Sequence, residues 1–167
     1  LNGGAGAALW HAAGARRHLW LFDSFAGMPE PTEQDGGRAG CQYAYRTARP
    51  EGWNIGEIKN VKRVLSLVKV PRKLTHIVTG WFADTLPGMS GAIGLIVALH
   101  LDADFYEPTR IALQYLYPLL VPGGVVIVDD YGGWEGCRLA VDEFWQVHNI
   151  TAHKQLYGSV VMWKKEA

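Results

Sequence analysis

The sequence predicts an α/β fold built on a mostly parallel sheet, and three observations predict it. Four apolar runs, at 18–22, 74–78, 95–101 and 125–128, are too continuous for half-exposed strands and read as strands buried on both faces. Segments with helical spacing lie between them, so strand and helix alternate as they do in right-handed parallel crossovers. Each run also closes on a polar or aromatic residue, and open α/β sheets bind ligands beyond the carboxyl ends of their strands.

In chain order, LNGGAGAALWHAAGA reads as a glycine-rich turn opening a helix, the unit that follows the first strand of a nucleotide-binding sheet, here with no strand before it. The run HLWLFD then ends on Asp23. Residues 24–54 have no sustained period and are studded with Gly27, Pro29, Pro31, Gly36, Gly37, Gly40, Pro50 and Gly52, so a lid-like loop is expected. A helix over 56–70 places Ile58, Val61, Val64, Leu65 and Val68 on one face. A second, over 106–120, uses Ile111, Leu113, Leu116 and Leu120. A third, over 134–148, presents Leu139, Val141, Phe144, Trp145 and His148. At the end of the chain, 154–157 and 159–163 are separated only by Gly158, which predicts an antiparallel hairpin on the parallel sheet.

A length of 167 residues suits one domain, 1–167, with a core of its own. Sixteen basic and sixteen acidic side chains cancel, which gives no electrostatic case for nucleic acid or an anionic membrane and favours a small-molecule substrate. His100 and Asp102 interrupt the longest apolar stretch before it could span a bilayer, and the start lacks the order of a signal peptide. The expectation is a soluble, cytoplasmic protein. Cys41 and Cys137 are far apart and outside any CxxC context, as free thiols would be. Seven Trp and seven Tyr suit a pocket that stacks on flat or ring-shaped ligands.

The strongest chemical signal is acidic. Asp102 and Asp104 follow one strand, Asp129 and Asp130 another, and four carboxylates emerging together pose a charge problem that a divalent cation solves. Asp102, Asp129 and Asp130 are the candidate ligands of Mg²⁺. The alternative is that Asp129 or Asp130 caps the helix starting near Trp134 and Asp104 the helix from Tyr106. Asp23, with Ser24, stands where an acid accepts hydrogen bonds from ribose hydroxyls, or where a turn needs an Asp. Gly3 and Gly4 let backbone approach a cofactor, or form a flexible end. Trp81 and Phe82 offer an adenine a stacking face, or are core aromatics. His100, inside an apolar strand, reads as a hydrogen-bonded core histidine, and no nucleophile motif such as GxSxG appears.

Three separated segments, LFDSFAGMP, TGWFADTLP and LHLDADFYEPTRIALQYLYPLLVPGGVVIVDDYGGWEGCRLAVDEF, together resemble the macrocin O-methyltransferase (TylF-like) family, over nearly the whole chain. The resemblance implies a Rossmann-like class I methyltransferase fold with a C-terminal hairpin. It also implies dependence on S-adenosylmethionine and Mg²⁺, and an acceptor that is a sugar or polyol hydroxyl, or a catechol-like diol, of a bacterial natural product. It carries the metal ligands onto Asp102, Asp129 and Asp130, and the cofactor acid onto Asp23. The glycine-rich turn falls on Gly3 and Gly4, and the proton acceptor on Asp102 or Asp104. Phe105 stands near where a catechol-methylating relative has lysine, so a lysine base is not expected. The family's first strand has no counterpart here, and without it the sheet is expected to split. An inactive cofactor-binding or interaction module, an NAD-dependent oxidoreductase and a homo-oligomer remain open alternatives.

Overall fold

The computed structural model describes residues 3–49 and 53–166, so residues 50–52 of the expected lid lie outside it, as do the first two residues of the glycine-rich start. Strands β1 (Leu19–Asp23), β2 (Thr75–Thr79), β3 (Ile96–Leu101), β4 (Leu120–Val128), β5 (Gln155–Tyr157) and β6 (Val160–Lys164) fall on the expected runs. The helices are α1 (Gly4–Ala12), α2 (Gly36–Thr47), α3 (Ile58–Leu67), α4 (Phe82–Thr85), α5 (Ser90–Ile93), α6 (Tyr106–Leu116) and α7 (Glu135–Val147).

Two boundaries and one segment differ from the sequence reading. The helix expected to reach residue 120 stops at Leu116, because Pro118 cannot continue it and a 3₁₀ turn, Tyr117–Leu119, takes over. β4 consequently starts at Leu120 and bulges before its regular pairing resumes at Ala98↔Val125. Within 24–54 a twelve-residue helix, α2, replaces part of the expected loop, preceded by a 3₁₀ turn, Glu33–Asp35.

β1 and β2 pair in parallel, as do β3 and β4, and the hairpin β5–β6 adds antiparallel to β4. The strands form two sheets, β1-β2 and β3-β4-β6-β5. β1 and β3 both line a cleft of about 690 Å³, so the sheet is interrupted where the sequence reading expects a strand to be lacking. α6 and α7 bury matching stripes, Thr109, Ala112, Leu113 and Leu116 against Cys137, Ala140, Val141 and Phe144, at the three- and four-residue spacing of a helix face. Ala112, Leu113, Leu116, Cys137, Val141 and Phe144 of these stripes join Leu99, Leu101, Val126, Val128, Val161 and Trp163 in the larger core. A second core joins Ala7 and Trp10 of α1, Leu19 of β1, and Val61 and Leu65 of α3. No helix among the described residues is long and apolar enough to cross a membrane.

Candidate active site

β3 and β4 run side by side in register, Leu101 opposite Val128, so their carboxyl ends deliver Asp102 and Asp129 to the same edge. The N–H of Asp129 donates to the Leu101 carbonyl (3.0 Å), extending the ladder by one step. Beyond it the two loops are tied by the Asp104 N–H, which donates to Oδ2 of Asp130 (3.3 Å). Asp104 sits at the centre of a three-residue turn closed by the Phe105 N–H on the Ala103 carbonyl (2.6 Å), and its φ of 58° is left-handed, a conformation that a short polar side chain tolerates.

Carboxylate oxygens of Asp102, Asp104 and Asp130 lie within 4.8 Å of one another. Asp102 is exposed and the other two are half-buried. Burial, reinforced by Asp102, raises the Asp104 pKa from 3.8 to about 6, while the indole N–H of Trp134 pulls it down. Burial together with Asp104 and Asp102 raises Asp130 to about 7, opposed by the Asp104 N–H. Three acids that repel one another and bring only oxygen donors suit a hard divalent cation. Asp129 is not in this group; its Oδ2 lies 3.1 Å from Nε2 of His100. The histidine expected in the core is half-buried instead, and it stands at ion-pair distance from one of the expected ligands.

The expected cofactor residues gather at the other side of the same cleft. Gly3, Gly4, Asp23 and Phe82 line it together with His100 and Asp102. Gly3 opens α1 with a φ of 77°, where a side chain is strained, and a Cβ there would crowd Val61 at 3.1 Å. Asp23 accepts the Phe25 N–H (2.8 Å) in an Asx turn, and its carbonyl accepts the Gly80 N–H (3.0 Å), which fastens the loops after β1 and β2 together. Ser24 accepts from the Ala26 N–H (3.1 Å) beside that turn. Trp81, 41% exposed, stands outside the cleft lining, whereas Phe82 is half-buried against the larger core.

Two residues and one pairing escaped the sequence reading. Trp134 stands beside Asp104, whose pKa it lowers, and forms an aromatic cluster with Phe105 (5.7 Å, edge-to-face) and Trp53 (5.9 Å). The engagement of Asp129 by His100 could have been suspected from a histidine two residues before a strand-end acid. Asp35 was signalled by Thr32-Glu-Gln-Asp35, the spacing of a capping box.

Residues 3–165 match the model of a family described as Macrocin-O-methyltransferase (TylF). The chain belongs to this family. It is 33% identical over 158 residues to the 8-demethyl-8-(2,3-dimethoxy-alpha-L-rhamnosyl)-tetracenomycin-C 4'-O-methyltransferase of Streptomyces olivaceus, covering 94% of this chain and 58% of that protein. Among solved structures, the O-methyltransferase NovP superposes with a TM-score of 0.77 at 29% identity, covering 96% of this chain and 65% of NovP. The methyltransferase MycE, solved with Mg, SAH and mycinamycin VI, shares the fold at a TM-score of 0.54 and 16% identity over 95% of this chain and 48% of MycE. The chain thus spans about three-fifths of the length of the first two. Methyltransferase neighbours of this kind agree with the α/β fold the sequence predicts.

Proposed function

We propose that this chain carries the catalytic core of an S-adenosylmethionine- and Mg²⁺-dependent O-methyltransferase that acts on a sugar hydroxyl of a small natural product. One observation carries the reading. A single cleft between β1 and β3 has the glycine turn and Asp23 at one wall and Asp102, at the edge of an oxygen-only acidic cluster, at the other. Family membership supports the reaction class, the rhamnosyl acceptor of the S. olivaceus relative supports the substrate class, and the Mg and SAH held by MycE support the two cofactors.

In this reading Gly3 and Gly4 admit the cofactor's backbone-facing side, Asp23 with Ser24 accepts its ribose hydroxyls, and Phe82, which lines the cleft where Trp81 does not, flanks its base. Asp102 and Asp130 hold the cation. Asp129 is the third ligand that the resemblance implies, and Asp104 the third that the geometry offers. When bound, the cation lowers the pKa of an acceptor hydroxyl and S-adenosylmethionine supplies the methyl group. Asp104, set among the acids that would hold the cation, accepts the hydroxyl proton. The Trp134 indole beside that carboxylate favours its charged form, and Trp134 packs in turn with Trp53 and Phe105.

Calorimetric titration with S-adenosylmethionine and Mg²⁺, followed by mass-spectrometric detection of methyl transfer to a rhamnosylated acceptor, tests the reading. Cofactor binding with turnover that EDTA abolishes is expected. Cofactor binding without transfer to any diol acceptor would favour an inactive module, and binding of NAD in its place an oxidoreductase.

A further inference from the structure

Outside the cleft, the least ordinary group in the molecule is the carboxylate of Asp35, only 3% exposed although it lies in the glycine-rich turn that starts α2. Its Oδ2 accepts from the N–H (2.8 Å) and the Oγ1–H (2.9 Å) of Thr32. Its Oδ1 accepts from the N–H of Tyr106 (2.6 Å), the first residue of α6. Three donors and the positive end of a helix compensate the buried charge. The same oxygen packs on Gly136 in the first turn of α7, so closely that any Cβ there would collide with it, and the neighbouring Gly36 packs on Glu135 in the same way.

These two helix starts are not arbitrary places. α6 begins directly after the loop that carries Asp102 and Asp104, and α7 directly after the loop that carries Asp129 and Asp130. At the cluster itself those loops are joined by one long hydrogen bond, from Asp104 N–H to Asp130 (3.3 Å). At their far ends both rest on one carboxylate.

We propose that Asp35 is a positioning residue for the acidic cluster: by bonding the first amide of α6 and seating against the first turn of α7, it sets the separation at which the two aspartate loops meet. The proposal rests on the cation-binding role given to that cluster above. It goes beyond it by making the segment before α2, expected from sequence to be a lid, part of the framework that shapes the metal site. A carboxylate that merely stapled α2 to the surface would matter to the stability of that segment and to nothing at the strand ends. One that sets the loops must also matter to ion affinity, because groups that orient metal ligands typically change affinity about 10–100-fold when removed.

The test is a Mn²⁺ titration, read by paramagnetic resonance of the free ion, on the wild-type chain, Asp35→Ala, Asp35→Asn and Thr32→Ala, alongside hydrogen exchange at the Tyr106 amide. Asp35→Ala is expected to weaken Mn²⁺ by about 10-fold or more and to expose the Tyr106 amide to exchange. Asp35→Asn keeps an oxygen for Tyr106 and is expected to retain most of the affinity, and Thr32→Ala, which leaves the α6 bond in place, nearly all of it. Should Asp35→Ala not fold, Asp35→Ser, whose short hydroxyl still offers Thr32 a partner but falls short of Tyr106, gives the same comparison against Asp35→Asn, a loss of affinity confined to the variant without the oxygen for Tyr106. A folded Asp35→Ala that binds Mn²⁺ like the wild type overturns the proposal alone. A wild-type chain that binds no Mn²⁺ overturns the cation role of the cluster and this proposal with it.

Discussion

At the residue scale, the chemistry turns on which of four aspartates does which task. Asp104 is the half-buried one with an indole donor and a left-handed backbone, a combination that fixes a carboxylate without neutralising it. Asp104→Asn keeps the shape and removes the proton acceptor, so kcat is expected to fall about 10²–10⁴-fold with S-adenosylmethionine affinity unchanged, as steady-state kinetics and calorimetry would show together. Asp129→Asn separates the two candidate ligand sets. If Asp129 binds the ion, Mn²⁺ affinity falls and cofactor affinity does not; equal loss of both would remove it from the metal site. That acids gather beyond β3 and β4 was legible in the sequence, because they follow apolar runs at the point where water returns. Which way each one points was not. Asp129 and Asp130 are adjacent in the chain, and only the pairing of β3 with β4 puts His100 within reach of the first.

At the scale of elements, what the sequence revealed follows from how each element earns its stability. β3 is apolar but for His100, β4 is apolar over 125–128 where it pairs with β3, and α6 and α7 carry full apolar stripes. α2 carries neither. GGRAGCQYAYRT has three glycines and buries one residue, Ala39, so no periodicity announces it, and it is held by long-range contacts such as that of Arg38 with the Gly133 carbonyl (3.2 Å). Asp35 was obscure for the same reason, its partner Tyr106 lying 71 residues away. The packing of this segment on α7 is testable at Gly136, where a Cβ would strike the Asp35 carboxylate and stand 2.9 Å from the Tyr106 nitrogen. Gly136→Ala is expected to destabilise the protein by about 1–3 kcal/mol in urea denaturation, despite alanine's higher helix propensity. A neutral or stabilising result would mean that the turn before α2 yields freely.

At the scale of the whole molecule, the acidic cluster couples folding to pH and, through the cation role proposed for it, to divalent ions. Asp104 and Asp130 have folded-state pKa values near 6 and 7, above the 3.8 of an exposed aspartate, chiefly because burial penalises their charged forms. Between about pH 4 and 7 the folded protein therefore holds protons that the unfolded chain releases. The stability these groups contribute is complete below pH 4 and is lost as the pH rises through 6 and 7, opposite to the usual salt-bridged aspartate. Other carboxylates add their own dependence, so the informative quantity is the difference in Tm between the wild type and Asp130→Asn, whose amide cannot ionise. In EDTA, that variant is expected to gain on the wild type steadily from pH 5 to pH 8. Saturating Mg²⁺ should reverse the order at pH 8, where the ion meets ionised ligands, and have little effect at pH 5, where protons occupy them. A Tm difference that is flat with pH and indifferent to Mg²⁺ would mean that the three carboxyl groups do not share one field, and the cation would then have no reason to sit among them.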